Sequence, residues 1–434
     1  MFQTYDEALS WIHGRLRLGI KPGLKRMEWM MERLNHPEQK IKTIHIGGTN
    51  GKGSTLTFLR CILEEAGYEV GTFTSPFFEH FNERISVNGK PITDAEMLEL
   101  ANVILPLADE LDHSELGGPT EFEVITAMAL YYFAKINPVD VALFEVGLGG
   151  RFDSTNIIHP LLSIITSIGL DHTNILGDTY EKIAAEKAGI IKNGTAILTA
   201  VKQDEAMEVI AAKAMESKAP LYQLGSEFSI SGNHSLMRGE EFNFSSIFQE
   251  LPQIQISMLG KHQTENAALA IMAAQLLKQF YALLIDEPHI LQGLKRAYWP
   301  GRLELILEEP TIIMDGAHNE EGIEALVHEL KARYNDKQIQ ILFTALSDKK
   351  LDKMIQQLDA VADSITFTEF AYPRASQAQF LYELSCSQNK HKAKDWKQYL
   401  RTTIPTLKEN EILVITGSLY FLSEVKPFLV NLIK

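Results

Sequence analysis

Residues 41–47 (IKTIHIG) form a short β-rich run that leads straight into Gly48-Thr49-Asn50-Gly51-Lys52-Gly53-Ser54-Thr55. After it, Leu56, Leu59, Leu63 and Ala66 keep the i, i+3, i+7, i+10 spacing of a buried helix face. A strand, a glycine loop and a helix in that order constrain the fold more than any other feature of the chain. This is the context a phosphate-binding loop requires: glycines let backbone N–H groups approach phosphate oxygens, and the helix N-terminus adds positive potential. Lys52 adds a point charge for the outer phosphates. The strict GxxxxGK[ST] pattern is not met, because Ile46 stands at the first glycine and Gly53 follows the lysine. A plain glycine turn accounts for the glycines but not for a lysine and two hydroxyls in this setting, so nucleotide binding is expected.

The strand–helix rhythm continues. Strands are expected at 69–74, 139–146, 161–168 and 195–200, with helices at 121–135 and 179–188. Short helices are expected before residue 40. Strands separated by helices imply a doubly wound, mostly parallel α/β sheet. Residues 221–258 alternate in short runs such as FSIS and FNFS, which predicts a small antiparallel excursion, followed by an Ala-rich helix at 264–279. A Pro-Gly pair in Tyr298-Trp299-Pro300-Gly301-Arg302 reads as a linker. Beyond it the rhythm restarts: strands at 303–307, 311–314, 339–344, 364–369 and 411–416, helices at 319–334, 349–361 and 419–431. The expectation is two domains, 1–298 and 301–434, the second a smaller Rossmann-like α/β unit.

The charge balance bears on partners. The 434 residues carry 41 Lys and Arg against 56 Asp and Glu, net −15. That argues against a nucleic-acid or anionic-membrane binder, which would carry a basic face. It leaves anionic small substrates open, since a pocket can be basic on an acidic protein. Cys61 and Cys386 make no CxxC pair and no metal spacing, and read as reduced thiols. The first residues lack an apolar signal-like core, and no apolar run reaches the ~18 residues of a membrane helix. A cytoplasmic protein is expected.

In open α/β sheets, ligands bind beyond the carboxyl ends of the strands. Ser75 follows the strand at 69–74, Glu145 ends the apolar VALFEV, and Asp171 and His172 follow the strand at 161–168. Parallel strands would bring the loop, Ser75, Glu145 and His172 to one edge. Read alone, Ser75 is a turn hydroxyl, Asp171 a helix cap and His172 one histidine among thirteen. Glu145 is the least ordinary, because a carboxylate ending a buried strand needs a partner, and a cation is a natural one. Together they offer Mg²⁺ a hydroxyl, a carboxylate and a nitrogen; magnesium prefers oxygen, so His172 is the weakest ligand chemically. In the second domain Met314-Asp315-Gly316-Ala317-His318-Asn319 ends a strand and starts a helix. A polar turn capped by Asn319 is a serious rival reading for that segment. Arg302 lies where it can reach back to phosphates, so a cleft between the domains is the expected site.

GTNGKGS, TSPFFEHFNERI, EVGLGGRFDSTN, GLDHTNILGDT, AAEKAGIIK, GKHQTENAALA, PGRLE and MDGAHN occur in that order. The set resembles the folylpolyglutamate synthase/dihydrofolate synthase family of the Mur ligase superfamily over most of the chain. The resemblance implies an ATP-dependent ligase: ATP phosphorylates a carboxylate of a folate or pteroate, and L-glutamate attacks the acyl phosphate to give an amide, ADP and phosphate. It implies that Thr49, Asn50, Gly51, Lys52, Gly53 and Ser54 cradle ATP, with Asn266, Arg302, Asp315 and His318 across the cleft. Asp315 and His318 would also lie near the reacting phosphate and glutamate. Ser75, Glu145 and His172 would hold Mg²⁺. Lys187, an ordinary helix lysine from sequence alone, matches a lysine that is carbamylated in the family. Phe77 to Arg84, with Phe77, Phe81 and Arg84, resembles a mobile folate-side loop. Thr120, Phe122 and Asp153 match positions near a pterin pocket, and Ser418 completes the substrate-side set.

Two other readings compete with this one. A Mur-type peptidoglycan ligase usually carries a UDP-binding domain before the loop, and here the loop begins only 48 residues in. A non-catalytic nucleotide-binding protein would not require Glu145, His172 and the DGAH segment. The motifs are shared by enzymes acting on dihydropteroate and on reduced folates, so the acceptor stays open, with polyglutamate extension favoured. A monomer is expected.

Overall fold

The structure, a computed structural model, describes residues 1–19 and 21–433; Ile20 and Lys434 lie outside the described residues. Its larger sheet contains β1 (Thr43–Gly47), β2 (Val70–Phe73), β3 (Ile85–Val87), β4 (Lys90–Pro91), β5 (Val141–Glu145), β6 (Leu162–Ile165), β7 (Ala196–Thr199) and β8 (Leu221–Gln223). Their order is β4-β3-β2-β5-β1-β6-β7-β8. All neighbours are parallel except the antiparallel β2–β3–β4 edge. Short apolar strands buried on both faces are the signature of a parallel sheet covered by helices. In β5, Val141 and Leu143 enter one core cluster while Ala142 and Phe144 enter another, the period-two division of a strand between two packed faces. The helix Lys52–Glu65 belongs to the first cluster and is buried nearly all round. The helices Tyr5–Gly14, Lys25–Arg33, Asp94–Asp112 and Glu121–Tyr131 supply the second.

Three antiparallel strands, β9 (Phe228–Leu236), β10 (Gly239–Ser246) and β11 (Glu250–Ile256), form a separate sheet. The expected antiparallel excursion at 221–258 therefore needs correction at its start. Leu221–Gln223 pairs parallel with β7 as the edge strand of the larger sheet; three residues are too few to show a period that distinguishes the two pairings.

After the linker come β12 (Glu304–Leu307), β13 (Thr311–Asp315), β14 (Gln338–Phe343), β15 (Ser364–Thr368), β16 (Lys390–Ala393) and β17 (Glu411–Thr416), ordered β12-β13-β17-β14-β15-β16. Only the β12–β13 pair is antiparallel. The helices Glu320–Arg333, Leu351–Asp359 and Leu419–Ile433 are among those that flank this sheet. Several elements were not anticipated: the helices Asp94–Asp112, Asp204–Glu216 and Glu287–Arg296, the β3–β4 hairpin and β16. The helix expected at 121–135 runs as α-helix over Glu121–Tyr131 and finishes as a π turn over Tyr132–Ile136.

Candidate active site

The carboxyl ends of β1, β2, β5 and β6 and that of β13 line one cavity of about 450 Å³. The loop after β1 is built around glycines. Gly48 has φ +144°, and a Cβ there would sit 1.9 Å from Thr166 Oγ1; Gly51 has φ +86°, and a Cβ would sit 2.3 Å from Asn266 Oδ1. No other residue type fits either position without strain. Thr166 Oγ1 and Ser167 Oγ both donate to Asn50 O, at 2.6 and 3.0 Å, and Ser167 Oγ accepts from Asn50 N. These two hydroxyls fix the loop and were missed in sequence; their place right after β6 was the available signal. Lys52 Nζ folds back onto Gly48 O and Thr49 O at 3.1 and 3.2 Å. Ser54 is buried in the first helical turn.

Ser75 and Glu145 meet as expected from their strand ends: Ser75 N donates to Glu145 Oε2 at 3.2 Å. Glu145 is 5 % exposed, and its nearest cation, Lys52 Nζ, is 4.0 Å from Oε1. Burial pushes its carboxyl up, against the pull of Lys52, Arg302 and Arg84. Lys187 lies on the same side, with Nζ donating to Gly48 O at 3.0 Å. Burial first, and the Lys52 charge second, lower its ammonium to about 7. His172 lines the cavity too, in a left-handed conformation (φ +51°), with Nε2 4.0 Å from Asp171 Oδ2. Among the described residues no three His, Cys, Asp or Glu side chains gather as a metal cluster. The donor set suits a cation that brings most of its own shell. Magnesium does this, keeping waters and phosphate oxygens beside one or two carboxylates, and the thinly partnered Glu145 would supply the charge to such an ion.

The smaller sheet provides the opposite wall. Asp315 ends β13, and its two oxygens accept from Leu303 N and Ala317 N at 2.8 and 2.9 Å. Burial raises its carboxyl, opposed by Arg302. His318 Nδ1 lies 2.8 Å from Gly316 O, an acceptor, so the proton sits on Nδ1 and Nε2 is bare. Burial and then Lys349 hold the ring neutral down to about pH 4. Asn266 lines the cavity, with Nδ2 donating to Gln263 Oε1 at 2.9 Å.

Three bridging residues were missed. Asn319, read only as a cap, does cap its helix but also reaches Asn50. Lys349 Nζ pairs with Asp171 Oδ1 at 2.6 Å. Glu321 Oε1 accepts from Leu170 N at 2.8 Å. Burial pushes Asp171 up, but Lys349, His172 and His318 outweigh it and hold the carboxyl well below the usual range. Charged residues in loops and first turns give no periodic signal in sequence.

The remaining candidates divide. Arg84 lies over Phe77 and Phe81 at 5.5 and 5.4 Å, 3.4 Å from Ser75 Oγ and 3.7 Å from Glu121 Oε1. Phe122 rests against Gly147 in the glycine-rich turn after β5. Thr120 and Asp153 are engaged locally: Thr120 caps the helix Glu121–Tyr131, and Asp153 accepts from Leu148 N and Thr155 N. None of Phe77, Phe81, Arg84, Thr120, Phe122, Asp153 and Ser418 is among the described residues that line the cavity. Ser418 is buried two residues beyond β17 with its Oγ unpartnered among the described residues. Two features had no sequence signal: Phe78 sits in the core of the smaller domain, and Tyr372 stacks on Tyr420 at 4.6 Å beside Arg84.

Residues 46–274 match the Mur ligase middle domain and residues 301–419 match the Mur ligase glutamate ligase domain. The chain is 50% identical over 426 residues to the dihydrofolate synthase/folylpolyglutamate synthase of Bacillus subtilis (strain 168), covering 98% of this chain and 99% of the relative. It is 33% identical over 430 residues to the folylpolyglutamate synthase of Lacticaseibacillus casei, covering 99% of both. Mycobacterium tuberculosis folylpolyglutamate synthase, solved with ADP and AMPPCP, superposes with a TM-score of 0.91 at 29% identity over 98% of each chain.

Proposed function

Because this chain belongs to the folylpolyglutamate synthase/dihydrofolate synthase family of ATP-dependent glutamate ligases, we propose that its cleft joins L-glutamate to a reduced folate and, as a second activity, to dihydropteroate. The observation that carries the reading is the single cavity in which the loop at Lys52, the carboxylate of Glu145 and the Asp315–His318 turn face one another. The proposal includes the division of the chain into 1–298, which holds the phosphate loop, and 301–434, which supplies the glutamate side.

In this reading Thr49 to Ser54 cradle the triphosphate, with Asn266, Arg302 and Asp315 holding the rest of ATP. Lys52 and Arg302 neutralise charge on the transferring phosphoryl group, which is most of what phosphoryl transfer asks of a protein. The acceptor carboxylate takes the γ-phosphoryl group and ADP leaves. The glutamate amine then attacks the acyl carbon and phosphate leaves. His318 Nε2, bare and neutral, accepts a proton from that amine. Arg84, Phe77, Phe81 and Phe122 bind the acceptor, with Thr120 and Asp153 shaping its pocket and Ser418 on the substrate side.

Ser75, Glu145 and His172 are the residues we assign to Mg²⁺, which when bound neutralises phosphate charge. Lys187, partly neutral at physiological pH, is suited to carbamylation, which turns a cation beside Lys52 into an anion. A monomer acting in the cytoplasm completes the proposal.

The test is glutamate-dependent ADP release measured side by side with tetrahydrofolate and dihydropteroate. Turnover with both supports two activities, turnover with one assigns the acceptor, and no stimulation by either overturns the reading.

A further inference from the structure

Gly53 stands where a phosphate loop ordinarily carries a hydroxyl, and the fold supplies a reason. A Cβ on Gly53 would lie 2.7 Å from Trp299 Nε1, 2.9 Å from Cε2 and 3.0 Å from Cζ2. The indole edge therefore rests on the first turn of the helix Lys52–Glu65, in the space a side chain would fill. Trp299 belongs to the linker between the two large sheets and packs on the core that contains this helix. Three residues later Arg302 enters the nucleotide cavity, facing Asp315 and Glu145. Gly301 turns the chain between them at φ +70°, and its carbonyl accepts from Gly316 N at 2.8 Å in the turn that carries His318. One short linker thus touches the phosphate loop at one end and the opposite wall of the cleft at the other.

We propose that Trp299 is a positioning residue that ties the linker to the phosphate loop, so that Lys52 and Ser54 are set against the triphosphate in step with Arg302. The inference rests on the loop being the ATP site. An indole has only two side-chain torsions and a large rigid face, so it transmits displacement where a flexible side chain would absorb it. A displacement of about 1 Å at a phosphoryl-transfer site costs up to ~100-fold in rate.

The test is a size-complementation series: Gly53→Ala, Trp299→Leu and the double variant, with ATP kinetics and unfolding midpoints measured on each. Gly53→Ala is expected to lose about tenfold or more in kcat/KM for ATP, mostly through KM, as contacting residues couple by that order. Trp299→Leu opens the space, and the double variant is expected to recover to within about threefold of Trp299→Leu alone. The ATP-induced change in intrinsic fluorescence is expected in the wild type and lost in Trp299→Leu, which keeps three of the four tryptophans. Strictly additive losses, or a Gly53→Ala variant with wild-type KM, overturn the coupling. If Gly53→Ala does not fold, Trp299→Leu decides alone: wild-type KM with an unchanged fluorescence response overturns the proposal. A wild-type chain that binds no ATP overturns the reading of the loop itself, a result distinct from failed complementation.

Discussion

Asn50 and Asn319 exchange a reciprocal pair of amide hydrogen bonds across the cleft, Asn50 Nδ2 to Asn319 Oδ1 at 3.2 Å and Asn319 Nδ2 to Asn50 Oδ1 at 3.0 Å. Asn319 Oδ1 also accepts from Gly322 N at 2.8 Å, so one side chain caps a helix of the smaller domain and clasps the phosphate loop. The two roles are separable. Asn319→Ser keeps a capping oxygen for Gly322 N but is too short to donate to Asn50, and it adds no charge where Nδ2 now lies 3.3 Å from Asp171 Oδ2. It is expected to raise the KM for ATP with little change in unfolding midpoint, whereas Asn319→Ala also loses about 1 kcal/mol of cap stability. Steady-state kinetics and thermal unfolding of both variants check this; equal effects on KM and stability would contradict it.

Lys187 gives a pH prediction with a definite sign. Its ammonium titrates at about 7 in the folded chain against 10.5 for the free side chain. Between those values the unfolded state binds more protons, so the stability contributed by this site rises with pH across the window, by up to ~1.4 kcal/mol per unit. Below about pH 7 the penalty is fully present. Lys187→Met removes the titrating group and is expected to stabilise the chain most near pH 7, with the advantage shrinking towards pH 10. Urea unfolding in bicarbonate-free buffer at three pH values checks this. An advantage that does not change with pH would contradict it.

How much of this was legible in the sequence follows from what each residue signals. Ser75, Glu145 and the loop were placed together correctly because parallel strands carry their carboxyl ends to one edge, a rule that needs only the strand pattern. Strands β1, β2, β5, β6 and β7 and the helices that begin at Lys52, Glu121 and Tyr180 were legible from the strand–helix alternation, whereas β3, β4, the pairing of β8 and the helix Asp204–Glu216 were not. Nor were Asn319, Lys349 and Glu321. Each looks like a cap or a solvated charge until the second domain is set against the first, and no local pattern encodes that placement. Phe78 is similar: a hydrophobic residue in a polar loop gives no hint that its partner core belongs to the other sheet. The helix Asp94–Asp112 escaped because Pro106 interrupts its pattern, although Thr93 and Glu96 spell a capping box at its start.

A buried ion cluster ties the far end of the interface helix Glu320–Arg333 to the three-stranded sheet. Arg333 bonds Glu240, and its Nε donates to Glu329 Oε2 at 3.1 Å and Nη1 to Leu236 O at 2.8 Å. Glu329 also accepts from Lys261 N, and Glu240 from Gly260 N. Arg333→Met strands two buried carboxylates and is expected to destabilise by about 3–5 kcal/mol. Arg333→Lys is expected to recover only part of that, because an ammonium cannot form the planar fork. Denaturant unfolding of both variants checks the order; a near-neutral Arg333→Met would show that the cluster contributes nothing to holding the two domains.

Glu145 separates structure from chemistry most cleanly. Among the described residues its only hydrogen bond comes from Ser75 N at 3.2 Å and its only paired cation is Lys52 at 4.0 Å, although it is almost wholly buried. A carboxylate so thinly partnered costs stability unless a further cation balances it. Glu145→Gln keeps the volume and an oxygen for Ser75 N while removing the charge. The folded chain is therefore expected to be as stable as wild type or more so, since burial disfavours the charged form. Activity moves the other way. Losing the carboxylate proposed to face Mg²⁺ is expected to cost about 100-fold or more in turnover, as charge stabilisation of this kind is worth several kcal/mol. Affinity for ATP without magnesium is expected to hold or improve, because a negative charge beside the triphosphate has gone. Calorimetric titration with ATP and with Mg·ATP, beside thermal unfolding, distinguishes the cases. If Glu145→Gln bound Mg·ATP as wild type does and turned over normally, the carboxylate would be a structural strand end and Mg²⁺ would have to be held elsewhere.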